Sequence, residues 1–275
     1  MVDQALESIP AASAHNIAHL CSEESLRQRI APERRDYYYL HLSDLLLAIQ
    51  AHGSSEPISV LDFGAGGSPY KSLFPNAHYK TADLGGSFAD FTVDEEGCTN
   101  APDQAFDMVL STQVLEHCRN PNRHLDEVWR VLKPNGKLIL STHGLFEEHA
   151  FPHDFSRWTA DGLRVLLVSS GFAVESIVRI TAGPRAAFHL MQSALSQALL
   201  DRKALVLRLL WRPLFRILLA RRFWNAVLDR TFGEYRVLKS GQLPLGNTYI
   251  GLLASARAEE RGNAQSPGQN SREIP

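Results

Sequence analysis

Apolar positions along this chain come in two rhythms that alternate from about residue 58 to residue 180. Ile58-Ser59-Val60-Leu61-Asp62-Phe63 is a brief apolar run after the breaker Gly53-Ser54-Ser55-Glu56-Pro57. It runs straight into glycines, as a buried strand entering a tight turn does. Upstream, residues 34–50 place Leu42, Leu45, Leu46 and Ile49 at three- and four-residue spacing, which predicts a helix with one core face. Downstream the pattern predicts a short helix over 70–74 and strands over 78–82, 91–93 and 106–111. A helix over 121–132 follows, with Leu125, Val128, Trp129 and Leu132 on one side, and Lys133-Pro134-Asn135-Gly136 ends it. A strand over 137–142, a helix over 160–169 stopped by Ser170-Gly171, and a strand over 173–180 complete the series. Strand and helix in strict alternation predict an α/β fold, a mostly parallel sheet with helices on both faces.

Two regions break the rhythm. Residues 184–232 are helical, apolar and basic, and only afterwards does a strand-like run, residues 248–254, appear, so they read as a helical insertion before the last strand. Within them residues 202–222 hold seven basic side chains and no acid, with Arg208, Arg212 and Arg216 every four positions against leucines. That stripe suits either a lid or dimer contact that buries its apolar face in protein, or a peripheral contact with an anionic membrane surface. Residues 258–275 are poor in apolar side chains and are expected to be disordered. The resulting division is a helical N-terminal cap at 1–57, a main domain at 58–183 and 233–257, the insertion at 184–232, and the tail.

Composition narrows the function classes only slightly. A hydrophobic fraction of 44 %, 21 % charged residues and a net charge of −2 give no reason to expect nucleic acid. Three widely spaced cysteines form no metal clip or redox pair and suit a reducing, cytoplasmic setting, and arginines interrupt every apolar stretch before it could span a bilayer. No basic n-region with an apolar core opens the chain, so no secretory signal is expected. The expected location is the cytoplasm, with the inner face of a membrane as the extension that the basic stripe allows.

Candidate chemistry gathers at the carboxyl ends of the predicted strands, where parallel sheets bind ligands. Gly64, Gly66 and Gly67 let the backbone approach a ligand without an intervening side chain. Asp83, 21 positions after Asp62, stands where an acid accepts hydrogen bonds from both hydroxyls of an adenosine ribose, with Leu84 beside it in the same site. Asp94 suits an adenine amino group, and Asp90 at the other end of the third strand competes with it. The same loop and acid would also serve a nicotinamide oxidoreductase. However, Gly64-x-Gly66-x-x-Pro69 lacks the third glycine of that fingerprint.

The block Phe106-Asp107-Met108-Val109-Leu110-Ser111-Thr112-Gln113-Val114-Leu115-Glu116-His117, with Arg130-Val131-Leu132-Lys133-Pro134-Asn135-Gly136-Lys137-Leu138, resembles the fourth and fifth motifs of class I methyltransferases, in the group that includes the quinone C-methyltransferases. The resemblance covers roughly residues 58–180. It implies a Rossmann-like sheet of seven strands with the last antiparallel, and S-adenosylmethionine as cofactor. Asp62, Gly64, Ala65 and Gly66 would hold its methionine moiety, Asp83 its ribose, and Gln113 would face the methionine end. It also implies that Glu116 and His117 are mainly architectural. Ser68-Pro69 departs from the glycine many members carry there and, with Tyr70, is similar to a subgroup found among sugar- and lipid-modifying enzymes.

Residues 143–159 crowd three histidines, three acids and four aromatics into one loop at the carboxyl edge, a plausible acceptor site that resembles the Pro-x-Asp-(aromatic)-x-Arg-(aromatic)-Thr segment of the same subgroup. His153 and Asp154 are the candidates for proton handling. The alternative for Asp154 is an ion pair with Arg157 that ties the loop down over Trp158. A metal reading of His143, His149 and His153 is disfavoured by Pro152, and no metal is expected. Arg34, Arg35 and Tyr37-Tyr38-Tyr39 read as a packing stripe or a cover for the pocket. The expected activity is methyl transfer, first to oxygen, of a small metabolite, glycan or lipid-linked acceptor. A non-catalytic binding protein on the same fold is the alternative.

Overall fold

The computed structural model describes residues 22–84, 89–94, 96–149, 153–200, 217–239 and 248–259. Most of the basic stripe of 202–222 and the tail beyond 259 therefore lie outside the described residues, as do residues 1–21. Among the described residues two helices come first, α1 (Glu23–Ile30) and α2 (Tyr39–Gln50), then strands β1 (Ser59–Phe63), β2 (His78–Leu84), β3 (Phe91–Val93) and β4 (Phe106–Thr112). Helix α3 (Pro121–Val131), strand β5 (Leu132–His143), helix α4 (Ala160–Ser169) and strand β6 (Phe172–Ala182) follow. The chain closes with α5 (Gly183–Leu200), α6 (Arg221–Thr231), β7 (Val237–Leu238) and β8 (Tyr249–Ala258).

These strands form one sheet in the order β3-β2-β1-β4-β5-β8-β6-β7. β1 to β5 are parallel, and β8 runs antiparallel between β5 and β6. Among the described residues the sheet is Rossmann-like and has eight strands, where seven were expected. The addition is the two-residue β7, which pairs with Arg179 and Ile180 and covers what would otherwise be an open edge. The order reverses between the neighbouring strands β1 and β4, so the connections leaving their carboxyl ends run to opposite sides and open a crevice there.

Alternation along the strands sorts the core into two faces. Leu61, Phe63, Val109, Leu138 and Leu140 meet Leu125 and Val128 of α3 and Leu163 and Leu167 of α4. Val60, Met108, Leu110 and Ile139, one residue out of step, meet Leu45, Ala48 and Ile49 of α2. Helix α2 thus packs its apolar face directly against the sheet. It begins at Tyr39 instead of residue 34, because Asp36 accepts from the Glu33 N–H at 2.7 Å and pairs with Arg27 at 2.8 Å, holding the approach in turns. Helix α3 stops at Val131, just before Lys133-Pro134-Asn135-Gly136 as predicted, and those four residues form an irregular stretch of β5: Phe106 pairs with Leu132 and Met108 with Lys137, and Asn135 takes φ of 60°.

The insertion is fastened by buried charge. The Asp44 carboxylate on α2 accepts from Arg185 Nη2 at 2.8 Å, Arg185 Nε at 3.0 Å, Arg236 Nε at 2.7 Å and Thr181 Oγ1 at 2.9 Å. Arg185 is fully buried and also reaches Asp229 on α6 at 3.1 Å, while Asp229 accepts from the Tyr39 hydroxyl at 2.7 Å. One network therefore binds α2, α5 and α6 to the sheet. No helix among the described residues is long and apolar enough to cross a membrane.

Candidate functional site

The turn after β1 is built around glycine. Gly64 and Gly66 take φ of 72° and 51°, and the Gly64 and Ala65 N–H groups donate to Ala82 O at 2.8 and 3.3 Å, fixing the turn against β2. A Cβ on Gly64 would collide with Val114, and one on Gly67 would come within 2.5 Å of Leu26 on α1. A Cβ on Gly66 would meet nothing within 4 Å, so the loop opens onto free space at that residue.

Two acids flank the opening. Asp62, 1 % exposed, accepts from the Tyr79 hydroxyl at 2.7 Å, and burial pushes its carboxyl up to about 7 against the pull of that hydrogen bond. Asp83 accepts from the Gly66 N–H at 2.6 Å and the Leu84 N–H at 2.7 Å, and burial raises it too. Leu84 is exposed at the same edge. The two competitors on β3 separate clearly. Asp94 lies at the carboxyl end, where its Oδ1 accepts from the Glu96 and Cys98 N–H groups at 2.9 and 2.8 Å. Asp90 sits at the amino end, tied to Lys80 at 2.6 Å, away from the crevice.

Gln113, at the end of β4, takes φ of 56° and bridges Arg29 Nη1 of α1 at 2.8 Å and His41 Nε2 of α2 at 2.8 Å. A non-glycine residue in that conformation is costly and is held by its surroundings, as at many ligand sites. Arg29 and His41 were not picked out from sequence. Each lies on a helix whose pattern reads as packing, and only a contact 84 or 72 residues away reveals it.

Beyond Gln113 the loop after β5 closes a cage of rings. The Phe146 ring stacks on His143 at 4.1 Å and lies 5.5 Å from His41, 5.3 Å from His149, 5.7 Å from His189 of α5 and 5.8 Å from Tyr38. Burial lowers all four imidazoles, His189 to about 4, so they are neutral at pH 7. The insertion supplies this wall, since Ser193 of α5 also donates to Glu147 at 2.7 Å.

The Asp154 side chain is 3 % exposed, forms a two-pronged pair with Arg157 and accepts from the His149 N–H at 2.9 Å. Burial alone would raise it, but the guanidinium outweighs burial and holds it below the usual carboxylate range. Trp158 packs against the core beneath. His153 presents its ring to Phe155 at 5.5 Å, and its carbonyl accepts from His117 Nδ1. Glu116 is fully buried and accepts from Thr142 Oγ1 at 2.9 Å. Of the three histidines of the metal reading, His143 and His149 come together at 5.1 Å between ring centres, and the third group beside them is Glu116, not His153.

The comparisons agree with this geometry. Residues 61–140 match the family model described as a methyltransferase domain. Residues 61–140 thus carry a methyltransferase domain, on a sheet of the class I fold. Its cofactor is S-adenosylmethionine, and the open shelf at Gly66 between Asp62 and Asp83 fits that group. Among curated proteins, the malonyl-[acyl-carrier protein] O-methyltransferase of Methylococcus capsulatus is 27 % identical over 120 residues, covering 38 % of this chain and 44 % of that protein. The match therefore spans less than half of its relative. Among solved structures, a Thermotoga maritima S-adenosylmethionine-dependent methyltransferase covers 90 % of this chain and 100 % of its own at 14 % identity and a TM-score of 0.52. A chain of the Haloferax volcanii complex between the Trm112 methyltransferase activator and its methyltransferase covers 90 % and 97 % at 16 % identity and a TM-score of 0.51.

The two loop glycines make a direct test of the shelf. Gly66→Ala is expected to fold at a cost of about 1–2 kcal/mol, the penalty for a side chain at positive φ. It should also weaken binding of S-adenosylhomocysteine roughly tenfold or more, about 1.4 kcal/mol. Calorimetric titration and a urea melt read the two effects separately, and undiminished binding would show that the ligand does not lie over Gly66.

Proposed function

We propose that the protein transfers the methyl group of S-adenosylmethionine to a hydroxyl oxygen of a small metabolite, glycan or lipid-linked acceptor that enters the ring cage around Phe146. The observation that carries this reading is the position of the cage directly beyond Gln113, on the side of the crevice away from Asp83. When bound, the cofactor supplies a methyl group on a sulfonium, whose S–C bond breaks as the O–C bond forms. The protein's share is alignment and removal of the hydroxyl proton.

Asp62 and the Gly64-Ala65-Gly66 turn take the methionine moiety, with Arg29 and Gln113 beyond them. Asp83 and Leu84 take the ribose, and Asp94 stands at the adenine end. Neutral imidazoles and Phe146 exclude water from the acceptor side. His153 is the base, and Asp154, locked to Arg157, holds the loop that carries it. The O-methyltransferase activity of the Methylococcus capsulatus relative supports oxygen as the first acceptor to try.

Titration with S-adenosylhomocysteine and with NAD separates the reading from an oxidoreductase. Release of S-adenosylhomocysteine in the presence of hydroxyl-bearing acceptors then tests turnover. His153→Ala is expected to lower kcat by about 10²–10⁴, the usual worth of a positioned base, with cofactor affinity unchanged. Binding of S-adenosylhomocysteine with no turnover on any acceptor would favour a binding protein instead.

A further inference from the structure

The side chains of Glu116, His143 and His149 each offer a ligand atom, and these atoms all lie within 4.8 Å of one another. His143 Nε2 and Glu116 Oε1 are 3.1 Å apart, about the separation of two neighbouring ligands at the ~2.0–2.2 Å bond lengths of zinc. Glu116 is 0 % exposed and its Oε1 has no aligned hydrogen bond, and His143, 2 % exposed, has an unpartnered Nδ1. A buried carboxylate with no cation against it is costly, and such an orphan calls for a partner.

The surroundings already orient the ligands. Glu116 Oε2 is held by Thr142, which leaves Oε1 facing the histidines. His149 Nδ1 lies 3.3 Å from Glu147 O and 3.5 Å from Asp154 Oδ2, which leaves Nε2 as the free atom. A carbonyl or carboxylate behind one ring nitrogen is the usual backing of a metal-bound histidine. Arg157, the nearest cation, is taken up by Asp154 and by the carbonyls of Phe146, Glu147 and Ser156.

We propose that Glu116, His143 and His149 bind a divalent transition-metal ion of the zinc type, with open coordination positions facing the acceptor cage. Two imidazoles and one carboxylate form a recurring set that leaves room for a further ligand. The inference rests on the acceptor reading above and gives it a substrate class: an acceptor whose hydroxyl can enter the metal's coordination shell, where a divalent cation promotes its ionisation.

The test uses the full chain, stripped with a chelator and titrated with Zn²⁺ by calorimetry and with Co²⁺ by visible absorption. One ion per chain is expected, with the strong ligand-field bands of a four- or five-coordinate Co²⁺ site. His149→Ala, on the partly exposed loop, and Glu116→Gln should each weaken binding by more than about 100-fold. Asp154→Asn, which removes only the backing of His149, should weaken it about 10–100-fold. Absence of submillimolar binding by the wild-type chain, or binding unchanged in both His149→Ala and Glu116→Gln, overturns the site. S-adenosylhomocysteine affinity, measured on the same samples, reports the cofactor shelf independently, so failure of the metal site and failure of the methyltransferase reading are distinguishable.

Discussion

Asp44→Ala is expected to destabilise the protein by about 3–5 kcal/mol, because it strands a buried guanidinium. Arg185 is fully buried and donates to both Asp44 oxygens, and without them only Asp229 at 3.1 Å remains. Arg236 is 29 % exposed and can turn to water, so the loss concentrates on Arg185. The consequence reaches the site through α5, since the helix that Arg185 anchors carries His189 and Ser193 against Phe146 and Glu147. Urea denaturation should show the full loss in Asp44→Ala. The double variant Asp44→Leu/Arg185→Met, which removes both charges, should recover most of it. Equal damage in single and double variants would mean that shape, not charge, holds the insertion. At a urea concentration where Asp44→Ala is still folded, proteolysis within α5 or α6 should already be faster than in the wild type.

The strand-end residues of the crevice were readable from the sequence, whereas the ring cage around Phe146 was mostly hidden, and the residues show why. Asp62, the glycines, Asp83 and Gln113 sit at strand ends, where local pattern fixes both the element and the edge of the sheet that it faces. The sequence favoured Asp94 over Asp90 only narrowly, and the parallel pairing of β2 with β3 puts Asp94 alone of the two at the carboxyl end. In the ring cage, His41 and His189 belong to helices whose sequences read as packing faces. Their convergence on Phe146 depends on how α2 and α5 dock, which no local rhythm encodes. The histidine cluster shows the same limit. Spacing offered His143, His149 and His153, all within one loop, whereas the group that joins the first two, Glu116, comes from the turn after β4, a long-range contact. The eighth strand was hidden for a related reason, since two residues carry no periodicity.

Asp62→Asn should make the protein more stable at pH 8 and a poorer ligand binder at the same time. The Asp62 carboxyl is raised from 3.8 to about 7 by burial, with Asp83 adding a like charge nearby. In the unfolded chain it ionises near its ordinary value, so between about pH 4 and 7 the folded state retains a proton that the unfolded state has lost. The neutral carboxyl therefore favours folding fully below about pH 4, and this advantage fades as pH rises to about 7. Above that, the fold carries a buried anion. Asparagine has no such charge and can still accept from the Tyr79 hydroxyl, so its advantage over the wild type should grow from near zero at pH 4 to about 2–4 kcal/mol at pH 8. S-adenosylhomocysteine affinity should move the other way. The wild type should bind more tightly as pH rises through 7, while the variant should bind about 10–100-fold more weakly and show no such rise, having lost a charged hydrogen-bond acceptor. Urea melts and calorimetry at pH 5, 6, 7 and 8 would test both halves. A variant no more stable at pH 8 would deny the buried charge, and a variant that binds as well as the wild type would deny Asp62 its place beneath the methionine end. If both halves hold, the residue that weakens the empty fold is the one that recognises the cofactor, and binding relieves what folding had to carry.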